Sequence, residues 1–418
     1  MKKLLYILLI APIFVFGQGW EQSYYGQGST ATEVLQTIDG GYITIGWGHS
    51  DFTNGHQNSF LIKTNPQGDV LWTKSISLSD TIGTSVSFHG GLTQANDGGY
   101  VISGKFSGVG FLMKLDDDGN QQWLQTYDEI VDMHLNASDG GYVILTSYGT
   151  MKTDSYGNKL WHNAFETPYF EKYAFAHTTD GGVVVVGRTS SWPALPILIK
   201  TDVFGNEEWS IFLSEENFDP TSVQLTSDGG FVISGYTTTV IDSYAEISEY
   251  GTHLIKVDEF GNQQWSKSYI SGGALLDVQQ TTDGGYISCG AFEEVEYEFQ
   301  KIVLIKTDFN GTLQWYQTSI NSDTLKGAAS IKQTTDGGYI ICGFIDEEDA
   351  PGNATRAFYL LKTNSEGVLT TNELIESNPN KTLLKTIDIL GIDAVDKPFT
   401  PLIDIYDDGS SQKRIIIE

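Results

Sequence analysis

The triplet Asp-Gly-Gly begins at Asp39, Asp97, Asp139, Asp180, Asp228, Asp283 and Asp336, and a chain with that recurrence has few ways to fold. Composition alone would yield fewer than one such triplet, so seven of them mark a structural repeat. The interval is shortest from Asp139 to Asp180 and longest from Asp39 to Asp97, the length of a propeller blade and more than a helix-pair repeat usually spans. A second motif keeps stricter time. Lysine is followed five positions later by glycine at Lys63/Gly68, Lys114/Gly119, Lys152/Gly157, Lys200/Gly205, Lys256/Gly261, Lys306/Gly311 and Lys362/Gly367. In the first six copies a tryptophan follows that glycine by four, at Trp72, Trp123, Trp161, Trp209, Trp265 and Trp315; in the seventh the place is held by Thr371.

Each unit reads as four short strands. In the sixth these are residues 278–281 (A), 286–292 (B), 302–307 (C) and 313–318 (D), runs rich in β-branched and aromatic side chains and bounded by turn residues. Asp-Gly-Gly between A and B supplies a tight hairpin with residues tolerant of positive φ, and the Asp-x-x-Gly-Asn segment between C and D does the same. Seven four-stranded antiparallel meanders make an all-β, seven-bladed β-propeller. The tryptophan missing from the seventh unit predicts how the ring closes. Trp20 precedes Asp39 by the same interval as Trp209 precedes Asp228. Trp20 therefore occupies a D-strand position with no A, B or C before it, and residues 20–26 are expected to complete the last blade. Residues 18–375 form the propeller in this reading, and residues 376–418 a small C-terminal β hairpin or tail.

The tryptophans read as scaffold. Each buries about 150–250 Å², a gross ~4–6 kcal/mol at about 25 cal/mol/Å² before entropy is counted. With Trp20 there are seven, one for each blade-to-blade contact. The seven lysines are expected to pair with acidic groups of neighbouring hairpin turns, as surface pairs worth only ~0–1 kcal/mol each. Cys289 and Cys342 hold equivalent places, each six positions after the aspartate of its own repeat, where other blades carry Ile45, Ser103, Leu145, Val186 and Ser234. Buried free thiols are expected there, not a disulfide or a metal site.

Residues 1–17 read as an export signal: Lys2 and Lys3, an apolar run over 4–16, and Gly17 before the break. That run is shorter than the roughly 20 apolar residues of a membrane-spanning helix, and no later stretch approaches that length. Secretion or display on the outer cell surface is the expected destination. Removing the signal leaves 22 basic residues against 53 acidic ones, a formal charge of −31. Nucleic acid, which requires a cationic footprint, is excluded as a partner.

Residues 20–371 resemble the DGGY-repeat propellers of secreted and surface proteins from Bacteroidetes-type bacteria, through the strings DGGY(I/V)xxG and IKTDxxGNxxW. The second string is also similar to the tryptophan repeat of quinoprotein dehydrogenase propellers, which are eight-bladed and hold a quinone beside a vicinal disulfide. With seven units and no adjacent cysteines, this chain is expected to take no cofactor. The S-x-D-x-G-x-T-W box of sialidases is not matched. Beyond Glu376 the segments TLLKTIDILG and LIDIYDDGSSQKRIIIE resemble a shortened C-terminal sorting module of type IX secretion, which implies export across an outer membrane.

Function is expected on the face where the B–C and D–A connections lie, because these vary between units while the A–B and C–D turns are uniform. Insertions fall at 49–59, 241–251, 293–300 and 346–356. Candidate ligand contacts there are Trp47, Asp51, Trp192, Tyr244, Tyr250, Glu293, Glu294, Glu296 and Tyr297. The acidic runs around Glu293 and at Asp346, Glu347, Glu348 and Asp349 are the places where calcium would be held. His49 and His56 with Asp51 fit no established zinc spacing. No catalytic constellation emerges. The leading reading is a monomeric binding or adhesion propeller for a glycan or a protein. The alternative is an extracellular polysaccharide hydrolase or lyase, which needs two carboxylates facing one cleft.

Overall fold

The computed structural model describes residues 19–24, 28–49, 57–76, 86–87, 91–106, 108–166, 170–189, 194–215, 217–242, 247–293, 300–318, 326–350, 353–369, 383–388, 401–406 and 411–415. The chain divides into two units, Met1–Thr370 and Thr371–Glu418. The first is a seven-bladed β-propeller of four-stranded antiparallel blades, with no helix among the described residues. Blade 6 is built from Gly273–Gln280, Tyr286–Glu293, Gln300–Thr307 and Leu313–Thr318. The hairpins lie where the turn residues place them, and the innermost strand starts at Gly273, ahead of the 278–281 segment expected from the sequence, and takes in Ala274, Leu275 and Leu276. Blade 7 takes its outer strand from the other end of the chain: Trp20–Tyr24 pairs antiparallel with Asn353–Thr363, Trp20 opposite Lys362. In every other blade the D-strand tryptophan faces the C-strand lysine in that register, as Trp72 faces Lys63 and Trp315 faces Lys306. The N-terminal strand thus replaces the absent fourth strand without a slip.

The A–B turn explains why two glycines follow the aspartate. Gly40 sits at φ +82°, in the left-handed region, and a Cβ on Gly41 would lie 2.2 Å from the carbonyl oxygen of Thr64 on strand C. Asp39 accepts the Gly41 N–H at 3.0 Å, and its two oxygens receive the Lys63 ammonium at 2.9 and 2.7 Å. The same lysine–aspartate pair recurs in all seven blades, always within one blade. The lysines are buried while half or more of most of the aspartates faces solvent, so these are not the surface pairs that the turn positions suggest. In blade 2 the bond from Lys114 holds the Asp97 carboxyl below the usual carboxylate range, and Lys152 does the same for Asp139.

The blades are joined by the tryptophans. A Cβ on Gly68, at φ +86° in the C–D turn of blade 1, would lie 2.9 Å from the Trp20 ring, which covers that turn from blade 7. Gly119 faces Trp72 in the same way, and so on around the ring to Gly367 and Trp315. Where the triplet is followed by tyrosine, the indole also meets that ring, edge-on for Trp20–Tyr42 at 5.7 Å and Trp72–Tyr100 at 6.2 Å and tilted in the other three pairs. The Trp20 indole N–H donates to the Pro66 carbonyl at 3.0 Å and the Tyr24 hydroxyl to that of Gly68 at 2.7 Å.

The structure corrects two expectations. The insertions of blades 5 and 7 continue the sheet: Phe231–Asp242 pairs with Ile247–Val257, and Tyr339–Ala350 with Asn353–Thr363, far past the blade edge. The runs TTTVID and FIDEEDA carry enough β-branched and alternating residues to keep the ladder going. The C-terminal unit contains three antiparallel strands, Leu383–Asp388, Pro401–Tyr406 and Ser411–Ile415, not a hairpin. The second of the two segments, LIDIYDDGSSQKRIIIE, holds two strands where one run is expected; Pro401 takes the first position of the earlier one, where a missing N–H costs least. No helix among the described residues is long and apolar enough to cross a membrane.

Candidate functional site

The innermost strands converge on a cavity of about 600 Å³. Nearly every strand that lines it changes register at one place. Pairing slips between Ala31 and Glu33, Val131 and Met133, Lys172 and Ala174, Pro220 and Ser222, Leu275 and Asp277, and Ala328 and Ser330. In blade 2 the inner strand is instead split into Val86–Ser87 and Leu92–Gln94. These bulges kink the strands around the narrow axis and turn extra side chains, among them Thr32, Tyr173, Thr221 and Leu276, toward the cavity.

The side chains that follow the bulges do not repeat. Blades 5, 6, 7 and 1 supply Ser222, Asp277, Ser330, Lys332 and Glu33; blades 3 and 4 supply Met133, Leu135, Ala174 and Phe175. The two carboxylates and the ammonium all lie on one wall, among apolar residues such as Val223 and Val278; the other wall carries no charge and is mostly apolar, with Thr93, His134 and Tyr173 as its polar members. Asp277 is the hub of the polar wall. It accepts from the Ser222 hydroxyl, the Ser330 hydroxyl and the Ile331 N–H at 3.0 Å each, and from the Val278 N–H and the Lys332 ammonium at 2.9 Å. Three blades are thereby tied to one carboxylate. Glu33 makes the matching contact from blade 1 to blade 2, where one oxygen accepts the Gly91 and Leu92 N–H groups at 2.8 Å. Burial pushes the Glu33 carboxyl above its usual range despite Lys332 and the two amides. The Lys332 ammonium is also penalised by burial, but Asp277 and Glu33 together hold it above its ordinary value.

On the apolar side His134 bridges blades 2 and 3. Its ring nitrogens lie 2.9 Å from the hydroxyls of Thr93 and Ser103. Burial pushes its pKa down to about 3, so the ring is neutral. At the rim between blades 4 and 5, Arg188 pairs with Asp219 and donates to the Ala194 carbonyl at 3.2 Å. The Tyr173 hydroxyl donates to Glu171 at 3.0 Å, and Tyr236 meets Tyr250 edge-on at 5.5 Å.

Of the residues singled out from sequence, Trp47 lines the cavity and Tyr250 is exposed on the extended hairpin of blade 5. Glu293 ends the second strand of blade 6. Asp51, Trp192, Tyr244, Glu294, Glu296 and Tyr297 lie outside the described residues, as does His56. Asp346 is held by Arg356 at 2.8 and 3.2 Å. Among the described residues no group of three His, Cys, Asp or Glu is placed to hold a metal ion. Cys289 and Cys342 are free and buried. Sequence reasoning misses Glu33, Asp277 and Lys332. One signal is available: at the sixth position before each repeat aspartate a carboxylate appears in two of seven copies, inside an otherwise buried strand.

No protein-family model matches the sequence, and no curated protein is similar to it. Among solved structures, the chain is similar to a protein of unknown function from Bacteroides caccae, with a TM-score of 0.41 and 12% identity, over 62% of this chain and 88% of that one. It is also similar to the Pan2 WD40 domain of Neurospora crassa, with a TM-score of 0.42 and 10% identity, over 66% of this chain and 88% of that one. Superposition this partial adds nothing to the reading of the site.

Proposed function

We infer that this chain is a binding propeller that recognises a glycan or a protein through the face of its B–C and D–A connections, with the central cavity as the deepest part of the site. The observation that carries this reading is the two-sided lining of that cavity. A scaffold repeated seven times has no structural need for a charged half and an apolar half at its axis. A cavity of about 600 Å³ falls within the usual size of a ligand site, and hydroxyls, an ammonium and flat apolar surface suit a sugar unit or a peptide side chain. Trp47, Tyr173 and Tyr250 supply stacking surface around it.

A hydrolase or lyase is the weaker reading, because an acid or base needs a lone pair that substrate can reach. Of the two carboxylates at the axis Asp277 is filled by five donors, which leaves Glu33, one oxygen of which holds the Gly91 and Leu92 amides, without the second open carboxylate that such a reaction needs; elsewhere Asp219 and Asp346 are held by arginines, and Glu171 accepts from Tyr173. The formal charge of −29 for the whole chain favours a neutral or cationic ligand over a polyanion. Secretion or surface display belongs to the same proposal and rests on the export-like segment 1–17 and the sorting-like tail. Calcium, if it takes part, would be held by the acidic runs of blades 6 and 7, with no other cofactor. The protein would act as a monomer.

A glycan-array and substrate-panel screen of the protein lacking residues 1–17, run with and without calcium, tests this. Saturable binding that Trp47→Ala or Tyr250→Ala abolishes is the expected result. Turnover of any polysaccharide rejects the binding-only reading, and binding indifferent to Trp47→Ala, Tyr173→Ala and Tyr250→Ala refutes the assigned face.

A further inference from the structure

The opposite face, built from A–B and C–D turns, is less uniform than its repeated triplets suggest. At four blade junctions a glutamine three positions before the repeat aspartate reaches across and accepts the exposed N–H of the neighbouring A–B turn. Gln94 takes that of Ile38 at 3.0 Å, Gln280 that of Ser227 at 2.7 Å, Gln333 that of Thr282 and Gln36 that of Thr335, both at 2.8 Å. The other end of the amide donates back to the first glycine of its own turn, Gln94 to the Gly98 carbonyl at 3.0 Å and Gln280 to that of Gly284 at 3.2 Å. Gln36, Gln94 and Gln280 are thus staples with one acceptor and one donor, while Gln333 shows the acceptor bond.

Three consecutive blades lack it. The equivalent residues of blades 3, 4 and 5 are Asn136, His177 and Leu225. Asn136 is too short and donates to the Gln94 carbonyl at 3.0 Å, His177 bonds the Asn136 carbonyl at 2.7 Å, and Leu225 has no polar group. The turn N–H groups of Asn96, Ser138 and Thr179 are therefore left without the acceptor that their counterparts have. A cleft of about 550 Å³ opens there, lined by those three residues together with Asn136, His177 and Val203.

A second asymmetry falls on the same sector. The C–D turns of blades 3 to 6 present Tyr156, Phe204, Phe260 and Phe309, each about two-thirds exposed, and blade 4 adds Val203. Blades 7, 1 and 2 carry no aromatic ring in those turns, where Pro66 and Val368 are the only apolar side chains. A turn position open to water gains nothing from a bare aromatic ring, and four on successive blades mark a contact surface.

We propose that this sector is a second recognition site, one that takes an extended polypeptide bearing glutamine or asparagine together with apolar side chains. The four filled junctions define the ligand chemistry: a side-chain amide whose oxygen meets the turn N–H and whose nitrogen meets a glycine carbonyl. Val203, which lines the cleft, and the turn rings of blades 3 to 6 receive the apolar residues between the amides. The site is independent of the central cavity and lies on the other face.

The probe is a capped decapeptide alternating glutamine with valine and serine, titrated against the protein lacking residues 1–17, with an N-acetylglucosamine hexamer as the rival amide source. Saturable binding of the peptide is expected, weakened at least tenfold in the triple variant Asn136→Gln, His177→Gln, Leu225→Gln, which fills the cleft with the protein's own staples. Slowed hydrogen exchange over 95–99, 137–141 and 178–182 in that variant shows that the staples have formed. The pair Phe204→Ser, Phe260→Ser weakens the peptide as well and needs no repacking. Absence of saturable peptide binding overturns the proposal, as does full affinity in the stapled variant or in the serine pair, or capture of the hexamer in place of the peptide.

Discussion

The outer three strands of each blade and its innermost strand obey different rules. In the outer part the same lysine meets the same aspartate and the same tryptophan covers the next blade's glycine seven times, including at the junction formed by the two ends of the ring. Around the cavity the inner part repeats its backbone and not its side chains: the bulge recurs in six blades, while the residue after it is Glu33, Met133, Ala174, Ser222, Asp277 or Ser330. A constraint that every blade shares produces a repeated side chain. A place where side chains vary on a fixed backbone is free to be shaped by a ligand.

The comparison breaks most visibly if the closing strand is removed. Deleting residues 18–24 exposes the edge of Asn353–Thr363 and uncovers Gly68 and Tyr42, so the cooperative thermal transition is expected to disappear or fall by tens of degrees; an unchanged melting curve would mean that the ring does not depend on Trp20. Next come the turn aspartates. Asp97→Ala and Asp283→Ala each strand a buried lysine and should cost about 2–3 kcal/mol in urea unfolding, less than a fully buried pair because half of each carboxylate is in water. Costs that differ widely between blades 2 and 6 would undo the claim that the outer part is equivalent throughout.

The pH dependence separates the inner part. His134 is neutral in the fold, its pKa lowered from 6.5 to about 3, whereas in the unfolded chain it gains a proton as pH falls through 6.5. Stability should therefore drop by up to about 1.4 kcal/mol per pH unit between 6.5 and 3 from this group alone. His134→Phe, the residue type that blade 4 holds at the equivalent Phe175, should remove that slope. A variant with the native slope would show that the ring is not buried neutral. Smallest is Leu276→Ser at a bulge that faces the cavity, expected to change stability by about 0.5 kcal/mol or less.

What is legible in the sequence follows the same division. Strands B, C and D of blade 6 follow their turn signals almost residue for residue, because Asp-Gly-Gly and Asp-x-x-Gly are local signals with local causes. The closure through Trp20 is legible because one spacing survives without its blade. Glu33, Asp277 and Lys332 are not, since each acquires its partners from neighbouring blades, and a lone acid in a buried strand carries no sign of where its donors come from. The glutamine staples are hidden for the same reason: Gln36 and Thr335 meet only when the ring closes. The extended hairpins of blades 5 and 7 read as loops because their polar residues match the composition of loops while their alternation matches that of strands.

The central claim is that recognition belongs to the non-repeating axis. Leu276→Trp tests it most directly, since the site is more than one-third exposed toward the cavity and accepts the larger ring without displacing the scaffold. The same glycan and protein panel, run on native protein and on this variant, should lose its hits while the melting temperature stays within a degree or two. Undiminished binding by a variant whose cavity is plugged would contradict the account.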